Sequence, residues 1–364
     1  MKSKDLLNIF VGATAYDRIQ KDGLSPDMVT SIFGASGSAK WLAIAGLDHA
    51  IFGDWMPKRQ SADPVTLFGT SIGAFKSAVA ARHNPSKAIM DLAHAYANID
   101  FDPKGGGRGI QKNTQEMIMK LFGEDGAGIE EVLENKHYHL SFGAVRARGF
   151  ANHSSPRRQG LSMASGFVKN YVAPRSLRNQ FERTIFIDPR SHLELKATDG
   201  FEVNKRPLTS DNFLSALAAS GNLPVYMEGI RFADEPSQLY FDGGLLDYHP
   251  VPSAFMPQDN GLCLYPHFYG HIVRRWFDKF APWRRVKRKD LDNVVLIAPT
   301  SSYVMSLPGG QIPDRQDFIR LQNHPTLRYE NWSTAVTASE ELGAAFVDMC
   351  RSGDIAREAQ LFPA

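Results

Sequence analysis

The sequence predicts an α/β fold built on a mostly parallel central sheet, and three observations carry that prediction. Short β-prone runs alternate with helical stretches along the chain. Residues 28–68 read as strand, helix, strand, a unit that sets two parallel strands side by side. Forty-three per cent of the 364 residues are hydrophobic and 22% charged, enough apolar material for a large core. At roughly 150 residues per domain the length allows about two domains or one large α/β domain.

The elements follow in chain order. Met1 to Ala15 carries two lysines, an apolar run and small residues, the outline of a signal peptide. Against that, Leu6, Leu7, Phe10, Tyr16 and Ile19 recur at helical spacing, which predicts an amphipathic first helix. Residues 28–33 form a strand that ends in a Gly/Ser-rich turn at 34–38. From Lys40 the apolar residues Trp41, Leu42, Ile44, Ala45, Leu47 and Ile51 predict a helix. A second strand spans 65–68, followed by Gly69-Thr70-Ser71-Ile72-Gly73 and a helix over 74–82. Further strands are predicted at 139–145, 183–187, 238–241 and 294–297, with loops at 104–109 and 152–160. Gly105-Gly106-Gly107 suits a surface loop better than a phosphate nest.

Composition excludes several classes. Forty-one Lys and Arg against 39 Asp and Glu give a net charge of +2, so no global field favours nucleic acid. Two cysteines, Cys263 and Cys350, exclude a disulfide scaffold and a Cys-rich metal site, and they fit a reducing, cytoplasmic compartment. No apolar stretch approaches the roughly 20 residues that span a bilayer. Membrane contact is therefore expected at the periphery.

Gly69–Gly73 matches the GxSxG nucleophile elbow, a string that arises by chance in roughly one chain in ten of this length. Its context carries the weight, because an elbow needs a strand before it and a helix after it. Ser71 is then a nucleophile at the carboxyl end of a strand, or, more simply, a serine that caps a helix. A serine nucleophile needs a base and oxyanion donors. The turn of the neighbouring strand, with Gly37 and Ser38, can supply backbone N–H groups. Ala39 and Trp41 flank Lys40 where a Walker A cradle requires Gly and Ser or Thr, which argues against nucleotide binding. His249 and His324 are candidates for the base of a triad, although neither sits in a motif. Asp242, at the end of a β run before Gly243-Gly244, is the better candidate; Asp-Gly is also an ordinary turn signal. As a base Asp242 needs desolvation, since an unperturbed carboxylate near 3.9 is too weak.

Together these segments resemble the patatin-like phospholipase family, lipid acyl hydrolases with a Ser–Asp dyad. The oxyanion loop resembles Ser36-Gly37-Ser38-Ala39-Lys40, the elbow Gly69–Gly73, and the dyad motif Asp242-Gly243-Gly244. Residues 218–226, with Ala219, Ser220 and Pro224, resemble the stretch that precedes the dyad aspartate, and Pro250 and Val251 the proline after it. The resemblance spans about residues 28–252. It implies a three-layer α/β/α sandwich, Ser71 as nucleophile, Asp242 as base, and Gly37 and Ser38 as oxyanion donors. Lys40, Gly69, Gly73, Gly243 and Gly244 would support these loops, with no metal or organic cofactor. Ser36 and Ser38 stand where the family usually has glycine, and Trp41 replaces the glycine after the basic residue.

Residues 1–260 are thus expected to form the catalytic domain, with 261–364 completing it. Within the latter, 271–289 predicts a basic amphipathic helix: positions 272, 273, 276, 277 and 280 are apolar while 274, 275, 278 and 279 are charged. This helix lies on an anionic membrane through Trp276, Phe277, Phe280 and Trp283, or packs on the core with its basic face solvated. A nucleic-acid stripe fits less well in a chain of balanced charge. The expected function is hydrolysis of lipid acyl esters. The alternatives are an acyltransferase or thioesterase on the same dyad, or a non-catalytic peripheral lipid-binding protein.

Overall fold

Runs rich in Val, Ile and aromatic residues become the strands of one sheet. The structure, a computed structural model, describes residues 5–99, 106–195, 199–255, 261–281 and 283–363. Among them, eleven strands form the sheet: β1 (Leu7–Val11), β2 (Val29–Gly34), β3 (Val65–Thr70), β4 (Tyr138–Ala147), β5 (Phe181–Ile187), β6 (Val203–Pro207), β7 (Ile230–Phe232), β8 (Glu235–Asp242), β9 (Leu262–Pro266), β10 (Val294–Pro299) and β11 (Ala359–Leu361). Their order is β11-β1-β10-β9-β2-β3-β4-β5-β6, with β8 paired to β4 and β7 to β8. Most pairings are parallel, including β10/β9, β9/β2, β2/β3 and β3/β4. Every residue of β3, β9 and β10 is buried, as expected of parallel strands covered on both faces by helices. The fold is a mixed α/β architecture with helices flanking a mostly parallel sheet.

Two strands meet end to end beside β4, and this arrangement positions the site. β5 occupies one edge of β4 from Ser141 to Ala147. On the other edge β3 runs parallel until Thr70 faces Gly143, and β8 runs antiparallel until Asp242 faces Ala144. Two strand ends more than 170 residues apart in the chain are thereby brought together at consecutive positions of β4.

The structure corrects several expectations. The apolar run near the N-terminus is strand β1, paired with β10 and β11, and a helix begins only at Ala13. Leu7, Ile9 and Val11 alternate toward the core, and that period prevails over the helical one. The loop expected at 152–160 is helical from Pro156, because proline at the first helical position has the right φ and needs no N–H acceptor. Of the loop at 104–109, Lys104 and Gly105 lie outside the described residues, and Gly105 is the first glycine of the expected nest. Residues from Gly106 open the helix Gly106–Phe122, held by the buried Met117, Ile118 and Phe122.

Among the described residues of 271–289 no continuous helix forms. The described part is an irregular strap with short 3-10 turns at Trp276–Asp278 and Arg288–Leu291. Long-range polar partners override its amphipathic pattern. Arg275 pairs with Asp199, and Asp278 accepts from Asn170 Nδ2 and pairs with Arg284. Arg275 and Asp278 are both buried, which fixes the backbone in a path that a continuous helix would break.

Candidate active site

The helix after β3 can pack against the sheet only because glycines remove side chains at the crossing. A Cβ on Gly69 would lie 2.3 Å from the Gly73 carbonyl oxygen, and one on Gly73 would lie 2.2 Å from that of Gly34. The chain turns at Ser71 with φ 56° and ψ −128°, a conformation that costs a non-glycine residue about 1–3 kcal/mol. Strain of this kind in a serine between strand and helix is the conformational mark of an elbow. The Ser71 N–H donates to Ser220 Oγ at 3.0 Å, and Ser220 Oγ in turn donates to the Gly143 carbonyl at 2.7 Å.

Ser71 Oγ donates to Asp242 Oδ2 at 2.6 Å, and the other carboxyl oxygen accepts from the Gly244 N–H, also at 2.6 Å. Ser71 is 8% and Asp242 4% exposed. Burial pushes the Asp242 carboxyl up to about 6, against the opposing effect of its hydrogen bonds from Ser71 and Gly244. Gly243 and Gly244 allow the close approach: a Cβ on Gly243 would lie 2.2 Å from the Gly143 carbonyl oxygen, and one on Gly244 would lie 2.5 Å from Ser36 Oγ.

The loop after β2 lies beside this pair. Gly37 has no room for a side chain, since its Cβ would meet the Phe268 ring at 2.5 Å. Ser38 adopts φ 55°, where glycine is usual, and its Oγ lies 2.8 Å from the Tyr96 hydroxyl. Ser36 Oγ lies 2.8 Å from Thr70 Oγ1, which donates to the Asp247 carbonyl at 2.7 Å. The two serines thus form bonds that tie the loop to neighbouring elements. Trp41 is also accounted for, since its indole donates to Asp48, which forms a buried pair with Lys76 of the elbow helix at 2.8 Å. Lys40 pairs with Asp314. Beneath the site, Arg183 bridges Asp247 and Asp199, anchoring the segment that comes after the Asp-Gly-Gly turn.

Gly37, Ser38, Lys40, Ser71, Asp242 and Gly244 line one cavity of about 620 Å³. Met163, Phe167, Leu223, Leu245 and Trp276 give it apolar walls, whereas Lys279 and Arg315 bring charge. Lys279 falls in the basic segment 271–289, whose pattern predicts a helix rather than a cavity residue, and Arg315 belongs to no motif. Of the two candidate histidines, His249 is fully buried, accepting from the Val273 N–H through Nδ1, and His324 stands at the start of the helix Pro325–Ser352; neither lines the cavity. Among the described residues no group of His, Cys, Asp and Glu could hold a metal ion.

The aromatic residues expected at a membrane divide. Phe277 is only 2% exposed and packs into a core cluster, which corrects its assignment as a contact residue, and Trp276 is half-buried against Phe167. Phe280 and Trp283 are 78% and 62% exposed. Phe280 contacts Phe167 and Trp283 contacts Tyr171, so both join the exposed apolar face of the helix Pro156–Val172 beside the cavity mouth. No helix among the described residues is long and apolar enough to cross a membrane.

A protein-family model described as patatin-like phospholipase matches residues 34–255, more than half of the chain. No curated protein matches the chain at a significant level. Among solved structures, the crystal structure of VipD from Legionella pneumophila is similar at 13% identity and a TM-score of 0.27. That similarity covers 65% of this chain and 49% of VipD, so the chain spans about half the length of that structure.

Proposed function

Because this chain belongs to the patatin-like phospholipase family, we propose that it hydrolyses lipid acyl esters, with Ser71 as nucleophile and Asp242 as general base. The observation that carries this reading is the 2.6 Å bond between Ser71 Oγ and a buried carboxyl group in an apolar-walled cavity. Ser71 Oγ attacks the ester carbonyl carbon as its proton passes to Asp242. The tetrahedral oxyanion takes hydrogen bonds from the Gly37 and Ser38 N–H groups. The bond to the alcohol then breaks and Asp242 returns the proton to the departing oxygen. Water attacks the acyl-serine, its proton passing to Asp242, and collapse frees the fatty acid while Ser71 regains its proton.

Desolvation makes the carboxylate fit for this work. Held near 6, Asp242 is ionised at neutral pH yet more basic than a carboxylate in water. Lys40 and the glycines at 69, 73, 243 and 244 act as loop supports. Phe280 and Trp283, continuous with Leu161, Val168, Tyr171 and Val172, support contact with a membrane surface through which a lipid enters the cleft. Arg285, Lys287, Arg288 and Lys289 next to them favour an anionic surface.

The test is release of p-nitrophenol from p-nitrophenyl butyrate together with labelling by a fluorophosphonate. Turnover by the unsubstituted chain and a label on Ser71 are expected. A catalytically competent Ser71→Ala variant would reject the mechanism.

A further inference from the structure

Two cations line the Ser71 cavity without a carboxylate partner among the described residues. Lys279 projects from the strap after Trp276–Asp278, and Arg315 from the loop after the Pro308–Gly310 turn. Each is held by an aromatic face: Lys279 Nζ lies 4.2 Å from the Tyr248 ring centre, and the Arg315 guanidinium 4.8 Å from that of Tyr226. Such contacts position a cation while leaving its N–H donors available. The two carboxylates of the cavity are already engaged, Asp314 by Lys40 and Asp242 by Ser71 and Gly244.

The cavity therefore holds more positive charge than it neutralises. Burial, and then the charges of Lys40 and Arg315, push the Lys279 ammonium down to about 7. Burial and Arg315 likewise push Lys40 down to about 8. Like charges crowded in a partly desolvated cleft are relieved by an anion, and a guanidinium fork matches the paired oxygens of a phosphate. Lys279 also borders an adjoining cavity of about 410 Å³ lined by Arg285 and Arg288, which extends the positive field on the same side.

We propose that Lys279 and Arg315 are specificity-determining residues that bind the head-group phosphate and select acyl lipids of net negative charge over zwitterionic ones. For the chemical step after binding, this inference rests on the hydrolase reading. A choline head group brings a further cation into the cluster, whereas a glycerol or unsubstituted phosphate does not.

The test uses the full chain carrying Ser71→Ala, so that bound lipid is not consumed. Titration with short-chain lysophosphatidylglycerol and lysophosphatidylcholine of the same acyl length, below micelle formation, should show at least a tenfold preference for the first. Combining Lys279→Gln with Arg315→Gln should reduce that preference below threefold, and Arg315→Lys alone, which keeps the charge and loses the fork, should give an intermediate preference. Equal affinities in the parent, or an unchanged preference in the doubly substituted chain, overturns the proposal. Inorganic phosphate binding as tightly as lysophosphatidylglycerol also overturns it, since the site is then one for a free anion. Fatty acid release by the unsubstituted chain is measured separately. No release with the binding preference intact rejects the hydrolase reading and leaves the subsite standing.

Discussion

Thr70 and Asp242 face consecutive residues of β4, Gly143 and Ala144, although 172 positions separate them in the chain. β3 arrives parallel to β4 and β8 antiparallel, so their ends meet on one edge and the residue that follows β3, Ser71, falls beside the last of β8. The 2.6 Å contact between serine and carboxylate is thus set by backbone ladders rather than by flexible side chains. Gly143 and Gly243 allow the junction to close, since a side chain on Gly143 would press on Thr70 and one on Gly243 would press on Gly143.

Removing either partner should remove nearly all chemistry. Ser71→Ala and Asp242→Asn are each expected to lower kcat/KM for p-nitrophenyl butyrate by at least about 10³-fold, since a nucleophile and its base act as one unit. The double variant should be no worse than the worse single one. Retention of a tenth of the parent activity by either single variant would be incompatible with these roles.

Activity should titrate with Asp242. Its carboxyl must be ionised to accept a proton, so kcat/KM should rise with pH and reach half its plateau near pH 6. The effect on stability has the opposite sign. A carboxyl raised from 3.8 to about 6 in the folded chain opposes folding increasingly from pH 4 to pH 6, and uniformly above. Two pKa units correspond to roughly 3 kcal/mol as an upper limit. Asp242→Asn should therefore melt higher than the parent at pH 8, with the gap narrowing toward pH 4. A lower melting temperature at pH 8 would contradict the desolvated carboxylate.

The turns at Ser71 and at Asp242-Gly243-Gly244 were legible because both declare themselves locally. Val65–Thr70 and Gln238–Asp242 are β-prone runs ending at glycines that the packing requires. Leu7–Val11 misleads because Leu6, Leu7 and Phe10 fit a period of 3.6 while Leu7, Ile9 and Val11 fit a period of 2, and only the pairing with β10 and β11 decides. The strap at 271–289 misleads for a different reason. Its conformation depends on Asp199, Asn170 and Arg183, none of which is near it in sequence. Position 279 reads as part of a basic membrane-facing helix rather than as a cavity residue, and Arg315 escapes notice because it enters the cavity from an irregular loop with no motif to mark it.

Substitution at the junction should affect geometry before it affects the fold. In Gly243→Ala the new methyl would sit 2.2 Å from the Gly143 carbonyl oxygen, so the Asp242 turn must shift. Overpacking of this kind costs about 1–3 kcal/mol. A displacement near 1 Å of the base can cost about 100-fold in rate. The variant is expected to fold with a lowered melting temperature and a loss of kcat out of proportion to it. Parent-like kcat would mean that the junction tolerates a side chain.

A buried histidine pair should make the fold acid-sensitive. His249 and His267 are both fully buried with rings 4.3 Å apart, and each accepts a backbone N–H through Nδ1, from Val273 and Tyr269. Burial pushes His267 down to about 3 and His249 well below the usual range. The unfolded chain then binds protons that the folded chain does not. The stabilisation is complete above about pH 6.5 and declines as pH falls toward the folded values, at about 1.4 kcal/mol per pH unit for each histidine. Urea midpoints should fall steeply between pH 6 and pH 4, and less steeply in His267→Gln. Equal slopes for the two proteins would remove the pair as the cause.

Membrane contact should depend on the exposed aromatics and, separately, on charge. Phe280 and Trp283 stand out from the strap next to Tyr171 and Val172, so they are the first side chains to meet acyl chains when the cavity mouth faces a bilayer. Burying a large apolar side chain contributes about 1.5–3 kcal/mol when complete, and interfacial burial is partial. Phe280→Ala with Trp283→Ala is therefore expected to weaken sedimentation with phosphatidylglycerol vesicles at least tenfold. Raising salt to 1 M should weaken binding of the parent as well, because the basic residues at 284–289 act through a field that a Debye length near 3 Å extinguishes. Binding that survives both the substitution and the salt would locate the membrane-facing surface elsewhere on the molecule.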